Sequence, residues 1–228
     1  MQGQSTATLA LTFKIIKIVF YFFFQILFIR RAVKKYDDDQ PITLEICTAI
    51  FFFCMMLGSV SEVIWLEKNP TFYHEIGALY IYFIGFVALV FLSIGIERSA
   101  NLKSKGLVAL VPLAMAILTL IVGIEMLSIP YYFIALVVAI IPGLFLYQAY
   151  ISEGLIRKQF LYIGLGYFLI FAGEATNYKL ILLNFLWLEE GFSNLTGYSV
   201  EFLPPLLILF GLLCLYNGYV RIARELII

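Results

Sequence analysis

Residues 78–96 read ALYIYFIGFVALVFLSIGI, a run without a single charged side chain. A helix of about 20 mainly apolar residues crosses the hydrocarbon layer of a bilayer, so this run is long enough for one span. The rest of the 228-residue chain is similar, since 63% of all residues are hydrophobic, 13% are charged and the mean hydropathy is +0.99. A soluble core cannot bury so much apolar surface, and the sequence therefore predicts a multi-pass protein of the cell membrane.

Charged residues divide the chain into seven apolar segments, each long enough for a transmembrane helix. The predicted helices cover residues 11–31, 42–66, 72–97, 106–127, 131–152, 159–186 and 202–224. The loops between them are short, and no segment has low complexity. The predicted fold is therefore an all-α membrane protein, a seven-transmembrane-helix bundle that forms one domain over residues 1–228.

The distribution of basic residues predicts the orientation of the bundle. Of the 15 lysines and arginines, eleven follow odd-numbered helices and four lie toward the other face. The four are Lys14, Lys17, Lys68 and Lys179. Because cytoplasmic loops carry the excess of Lys and Arg, the N-terminus is expected outside the cell and the C-terminus in the cytoplasm. Trp65 and Trp187 at the proposed outer ends, and a glycosylation sequon at Asn194, agree with this orientation.

Glu174 is the most costly residue of the predicted helices, because a charge within hydrocarbon is strongly unfavourable and normally faces the bundle interior. Along a helix it lies about 24 Å from Lys158 and about 20 Å from Trp187, near the middle of the membrane. Four polar residues share its face at helical spacing: Tyr167, Asn177, Tyr178 and Asn184. This face is interpreted either as a site for a ligand, proton or ion, or as a hydrogen-bonded seam that fixes helix packing.

The first helix supplies a candidate partner for Glu174. Lys17 has the required depth if the first and sixth helices touch, whereas Lys14 is expected to reach the outer surface on its apolar stem. Glu62 and Glu125 lie near the outer ends of helices two and four, where they form either a polar vestibule or a solvated rim. The candidate ligand-binding residues are therefore Glu174, Asn177, Tyr178, Tyr167, Lys17, Glu62 and Glu125.

Several chemistries lack the residues that they need. The predicted seventh helix has no lysine for a retinal Schiff base, and one histidine with three scattered cysteines cannot complete a zinc or paired haem site. Neither a G-x-S-x-G motif nor a glycine-rich phosphate loop is present. We therefore expect no enzyme activity, no metal and no cofactor. A net charge of zero gives no indication of nucleic-acid binding.

Part of the chain resembles a known family. The likeness rests on residues 91–98 (FLSIGIER), 147–150 (YQAY) and 152–159 (SEGLIRKQ), with Gly164 and Gly166 at the start of helix six. These segments are similar to the seven-helix membrane sensor region at the N-terminus of some histidine kinases, and to related stand-alone archaeal membrane proteins. The resemblance covers less than half the chain and implies seven spans, an outside N-terminus and signal sensing. Only residues 225–228 follow Arg224, so no attached output domain is expected.

Three functions are compatible with these features. The leading hypothesis is a receptor-like or sensor-like protein that binds a ligand from the outer side and acts through a separate partner. A small-solute or proton-coupled transporter is the second, with Glu174 as the titrating group and Pro142 as a hinge in helix five. The third is an accessory subunit of a membrane complex, because its phenylalanine-rich faces suit lipid and protein partners equally well.

Overall fold

The computed structural model of the chain describes residues 2–68, 78–99, 106–122, 128–176, 191, 194 and 203–222. Regular secondary structure in these ranges is helical throughout. The helices are α1 (Gln2–Asp37), α2 (Thr43–Lys68), α3 (Ala78–Ser99), α4 (Leu107–Val122), α5 (Ser128–Ile151), α6 (Gly154–Thr176) and α7 (Leu203–Tyr216), and a π-helical segment (Asn217–Ile222) continues α7. The predicted all-α fold is confirmed for this part of the chain.

Five helical segments of the described ranges are long and apolar enough to cross a membrane. They are Leu11–Asp37, Thr43–Ile64, Leu79–Ser99, Gly154–Glu174 and Leu203–Ile222. Two shorter apolar segments, Leu107–Ile121 and Ala139–Ile151, correspond to the predicted helices four and five. By length and composition, the chain therefore has the helices of a multi-pass membrane protein.

Two helices extend past the charged residues that were used to delimit them. The first was predicted for residues 11–31, whereas α1 runs from Gln2 to Asp37. The sixth was predicted to begin at residue 159, whereas α6 begins at Gly154, which has a positive φ of 60°. Arginine and lysine are good helix formers, so a basic cluster ends an apolar run without ending the helix.

The chain divides into two compact units. The central unit is Ile18–Val137, and the terminal unit combines Met1–Lys17 with Val138–Ile228. In the central unit, α2 and α3 pack closely because Gly95 has no side chain: a Cβ there would lie 2.8 Å from Cys47 Cβ. At the start of α4, Glu97 Oε1 accepts a hydrogen bond from the Val108 backbone N–H at 3.1 Å. This bond satisfies one of the free donors at the α4 N-terminus.

An aromatic cluster joins α1 to α2 within the central unit. The Phe52 ring stacks on Phe24 and Phe28 with centroid separations of 5.0 and 5.9 Å, and Tyr21 lies 6.1 Å away. At the turn between the two helices, Lys35 Nζ lies 2.6 Å from Glu45 Oε1. The cluster and the ion pair hold α1 and α2 together as antiparallel neighbours.

Glycines bring α6 and α7 together in the terminal unit. A Cβ at Gly211 would lie 2.7 Å from the Gly166 carbonyl oxygen, and a Cβ at Gly173 would lie 2.7 Å from the Pro204 carbonyl oxygen. Distances this short leave no room for any side chain. Small residues at helix interfaces allow such close backbone approach within membranes, where van der Waals packing stabilises helix pairs.

Candidate functional site

A lysine and a glutamate form a buried ion pair in the terminal unit. Lys17 Nζ, on α1, lies 3.4 Å from Glu174 Oε1, on α6, and donates a hydrogen bond to it. The lysine side chain is 1% exposed and that of Glu174 is 19% exposed. The predicted pairing of these residues is therefore present in the structure, and the lysine does not extend to the surface.

The burial of the pair determines its energetics. A charged group removed from water requires a partner of opposite charge, because the loss of that partner leaves an uncompensated buried charge that costs about 3 to 5 kcal/mol. Lys17 is the more deeply buried of the two, and the Glu174 carboxylate compensates its charge. Glu174 is the partner that an incoming group could reach.

A second polar contact on α6 involves Tyr167, which precedes Glu174 by two helical turns. The Tyr167 and Tyr219 hydroxyl oxygens are 3.3 Å apart and share a buried hydrogen bond. The Tyr167 ring stacks between Phe145 and Phe171, with centroid separations of 5.6 and 5.9 Å. Tyr219 belongs to the π-helical segment after α7, so this bond connects the middle of α6 to that segment.

Both polar contacts lie on the predicted inward face of α6. Tyr167 and Glu174 are separated by two helical turns, about 10 Å along the axis, with Phe171 between them. We call these three residues the α6 stripe. An aromatic layer thus separates a tyrosine pair from an ion pair on one buried face.

Tyr219 was not among the residues that the sequence singled out. A tyrosine near the end of an apolar helix is typical of a membrane interface, so its residue type did not indicate a buried contact. The glycine next to it, Gly218, is compatible with a close helix contact. In the structure a Cβ at this position would lie 2.6 Å from Ile163. This close approach brings the backbone beside Tyr219 against α6.

The other candidate residues are distributed differently. Glu62 lies on α2 in the central unit and is buried. Asn177, Tyr178 and Glu125 lie outside the described residues. The structure thus joins Lys17 to Glu174 and sets Tyr167 on the same face of α6 as Glu174.

Metal binding has no support from the residues that the structure describes. No cluster of three or more His, Cys, Asp or Glu side chains that could hold a metal ion occurs among them. Cys47, Cys54 and Cys214 are free thiols.

Comparisons of this chain with family models, with curated proteins and with solved structures find no match. The resemblance to the histidine-kinase sensor region therefore stays a prediction.

Proposed function

We propose that this chain is a seven-helix membrane receptor or sensor that binds a ligand from the outer side and acts through a separate partner. In this proposal all seven predicted segments cross the membrane as one bundle, with the N-terminus outside and the C-terminus in the cytoplasm. The excess of basic residues after odd-numbered helices supports this orientation.

The Lys17–Glu174 ion pair is the observation that carries the proposal. Lys17 lies about 28 Å from Tyr36 along α1, and Glu174 about 24 Å from Lys158 along α6. If Tyr36 and Lys158 mark the cytoplasmic boundary, both members of the pair lie in the outer half of a hydrocarbon layer about 30 Å thick. A charge pair at that depth is a functional candidate by default.

The unequal burial of the pair favours one class of ligand. Glu174 is the more accessible partner, so an entering ligand meets a carboxylate first. A cationic or hydrogen-bond-donating group suits that carboxylate. Such a group would compete with Lys17 for Glu174 and weaken the link between α1 and α6.

The packing of α6 offers a route from this site toward the cytoplasm. α6 contacts α7 through Gly166 and Gly211 without intervening side chains, so the two helices are expected to move together. The Tyr167–Tyr219 bond connects α6 to the π-helical segment, which also carries the exposed Arg221. A shift of α6 would therefore change the surface that a cytoplasmic partner meets.

A binding experiment tests the proposal. Purified protein is heated with primary amines and amino acids, and its melting temperature is compared with that of the Glu174→Gln and Glu153→Gln variants. Glu153 is exposed in the connection between α5 and α6, so its variant is the matched control. A ligand that stabilises the unsubstituted protein and the control but not Glu174→Gln supports the site, whereas equal stabilisation of all three excludes Glu174.

The partner is tested separately. Gentle extraction from native membranes should copurify a second protein in a stoichiometric amount. Recovery of a monodisperse chain alone would remove the output route that the sensor proposal requires.

A proton-coupled transporter is the second candidate, favoured by the position of Pro142. This proline lies inside α5 and removes one backbone hydrogen bond, and a Cβ at the adjacent Gly143 would meet no atom within 4 Å. A hinge in α5 and a buried carboxylate in α6, both in the terminal unit, suit alternating access. Solute flux into proteoliposomes that is unchanged in Glu174→Gln would exclude this role.

A further inference from the structure

An open groove runs along the surface of the central unit between α1 and α2. Its volume is about 460 Å³ and its lining is almost entirely apolar. The walls of the groove are formed by the exposed side chains of Ile29, Val33, Ile46 and Phe53. Its floor is formed by the buried Ala32 and Ala49. The small floor residues leave the space that the larger wall residues enclose.

The length of the groove corresponds to one leaflet of a bilayer. Gln25 and Tyr36 both line it, and they lie about 16 Å apart along the α1 axis. Half of a hydrocarbon layer about 30 Å thick is about 15 Å. Because α1 and α2 both contain candidate spans, one lipid chain of a single leaflet fits the groove from end to end.

Charged residues follow a fixed order at the Tyr36 end of the groove. Arg30 and Lys34 are exposed on α1, and Asp37 and Asp38 are exposed beyond them. No ion pair engages these four within the part of the chain that the structure describes. Arg30 is one helical turn from the groove-lining Val33, and arginine side chains extend toward the membrane surface on their apolar stems. Positive charge therefore lies nearer the membrane interior and negative charge nearer the water.

The neighbouring basic residues are already engaged. Lys35 forms the ion pair with Glu45, and the Arg31 guanidinium lies 5.8 Å from the centre of the Phe28 ring. The charges available to a lipid headgroup therefore include those of Arg30, Lys34 and the three consecutive aspartates Asp37, Asp38 and Asp39.

We propose that this groove binds a zwitterionic phospholipid of the leaflet at the basic end of α1. One lipid chain lies in the groove, the phosphate contacts Arg30 and Lys34, and the ammonium group lies toward Asp37 and Asp38. The order of charges matches such a headgroup, whose phosphate is nearer the chains and whose ammonium is nearer the water. An anionic headgroup without an amine would meet the aspartates unfavourably.

A matched pair of tryptophan variants tests the groove. Val33→Trp fills it from the wall, and Val19→Trp places the same side chain elsewhere on α1; the two valines are 57% and 60% exposed. Native mass spectrometry of the detergent-purified full chain, titrated with phosphatidylethanolamine, measures lipid binding. Val33→Trp should weaken lipid binding at least about tenfold, because two or three methylene groups of the lipid chain would lose their apolar contacts. Val19→Trp should leave lipid binding unchanged.

The headgroup assignment is tested by titration with phosphatidylglycerol. The unsubstituted protein should bind phosphatidylethanolamine more tightly, and the double variant Asp37→Asn/Asp38→Asn should lose that preference. The melting temperatures of all variants are measured in parallel to verify that they fold. Equal lipid binding by the two tryptophan variants, or tighter binding of phosphatidylglycerol by the unsubstituted protein, would overturn the proposal.

Discussion

Removing either member of the Lys17–Glu174 pair should destabilise the protein more than removing both. Lys17→Met keeps the apolar stem of the lysine but leaves the Glu174 carboxylate without the ammonium group 3.4 Å away. Glu174→Leu leaves Lys17, 1% exposed, with a buried charge. Each single variant should lose about 3 kcal/mol, the lower end of the range for broken buried pairs, because Glu174 retains some contact with solvent. The double variant contains neither charge and should lose less than either single variant.

The native cysteines provide an assay for this cycle. Cys47 and Cys54 are buried, so a thiol-reactive fluorophore reports unfolding as a protein in detergent is heated. For a chain of this size, 1 kcal/mol corresponds to about 2 to 4 °C, so each single variant should melt about 6 to 12 °C lower. Additive losses in the double variant would show that the two side chains are not coupled, since the effects of independent sites add and those of a coupled pair do not. Glu174→Gln should be milder than Glu174→Leu, because an amide oxygen still accepts a hydrogen bond from Lys17.

Two further predictions concern the packing of α6 in the terminal unit. Tyr167→Phe and Tyr219→Phe should each cost about 1 kcal/mol in the free energy of unfolding, because each removes the hydrogen bond between the two hydroxyls. The double variant should cost less than the sum of the two single losses, because both substitutions remove the same bond. Thermal unfolding of the three variants measures this, and two additive losses would contradict a shared bond. Gly211→Ala should lower the melting temperature, because its Cβ would lie 2.7 Å from the Gly166 carbonyl oxygen. Gly143→Ala is the control and should be neutral or stabilising, because a Cβ there would have nothing within 4 Å. Equal melting temperatures for the two alanine variants would contradict the close packing of α6 and α7.

The helices and the ion pair were accessible to sequence reasoning for physical reasons. Long uncharged runs such as residues 78–96 have few stable arrangements other than a membrane or a large apolar core. A carboxylate within such a run must pair with an oppositely charged or polar group, or it must bind a proton. This requirement restricted the candidate partners of Glu174 to a few residues. Lys17 was selected by its depth along the first helix, and the structure places it against Glu174.

Other features depend on details that the sequence pattern does not encode. Helix ends were misplaced at α1 and α6 because the apolar pattern reports on lipid contact, while the backbone remains helical through basic residues such as Arg157. The Tyr167–Tyr219 contact depends on the π-helical segment, which changes the helical register. The groove between α1 and α2 arises from Ala32 and Ala49 facing the same side, and alanine is compatible with any helix face.

The access of reagents to Glu174 is the most direct test of a buried pair that is reached from outside. In a background without the three native cysteines, Glu174→Cys is exposed in vesicles of known orientation to a membrane-impermeant thiol reagent, applied first to the outer face and then to the inner face. Glu153→Cys, in the connection between α5 and α6, is the control for the opposite side. We expect labelling of Glu174→Cys from outside only and of Glu153→Cys from inside only. Labelling of Glu174→Cys from the cytoplasmic side alone would contradict the proposed ligand entry, and labelling of Glu153→Cys from outside would contradict the orientation.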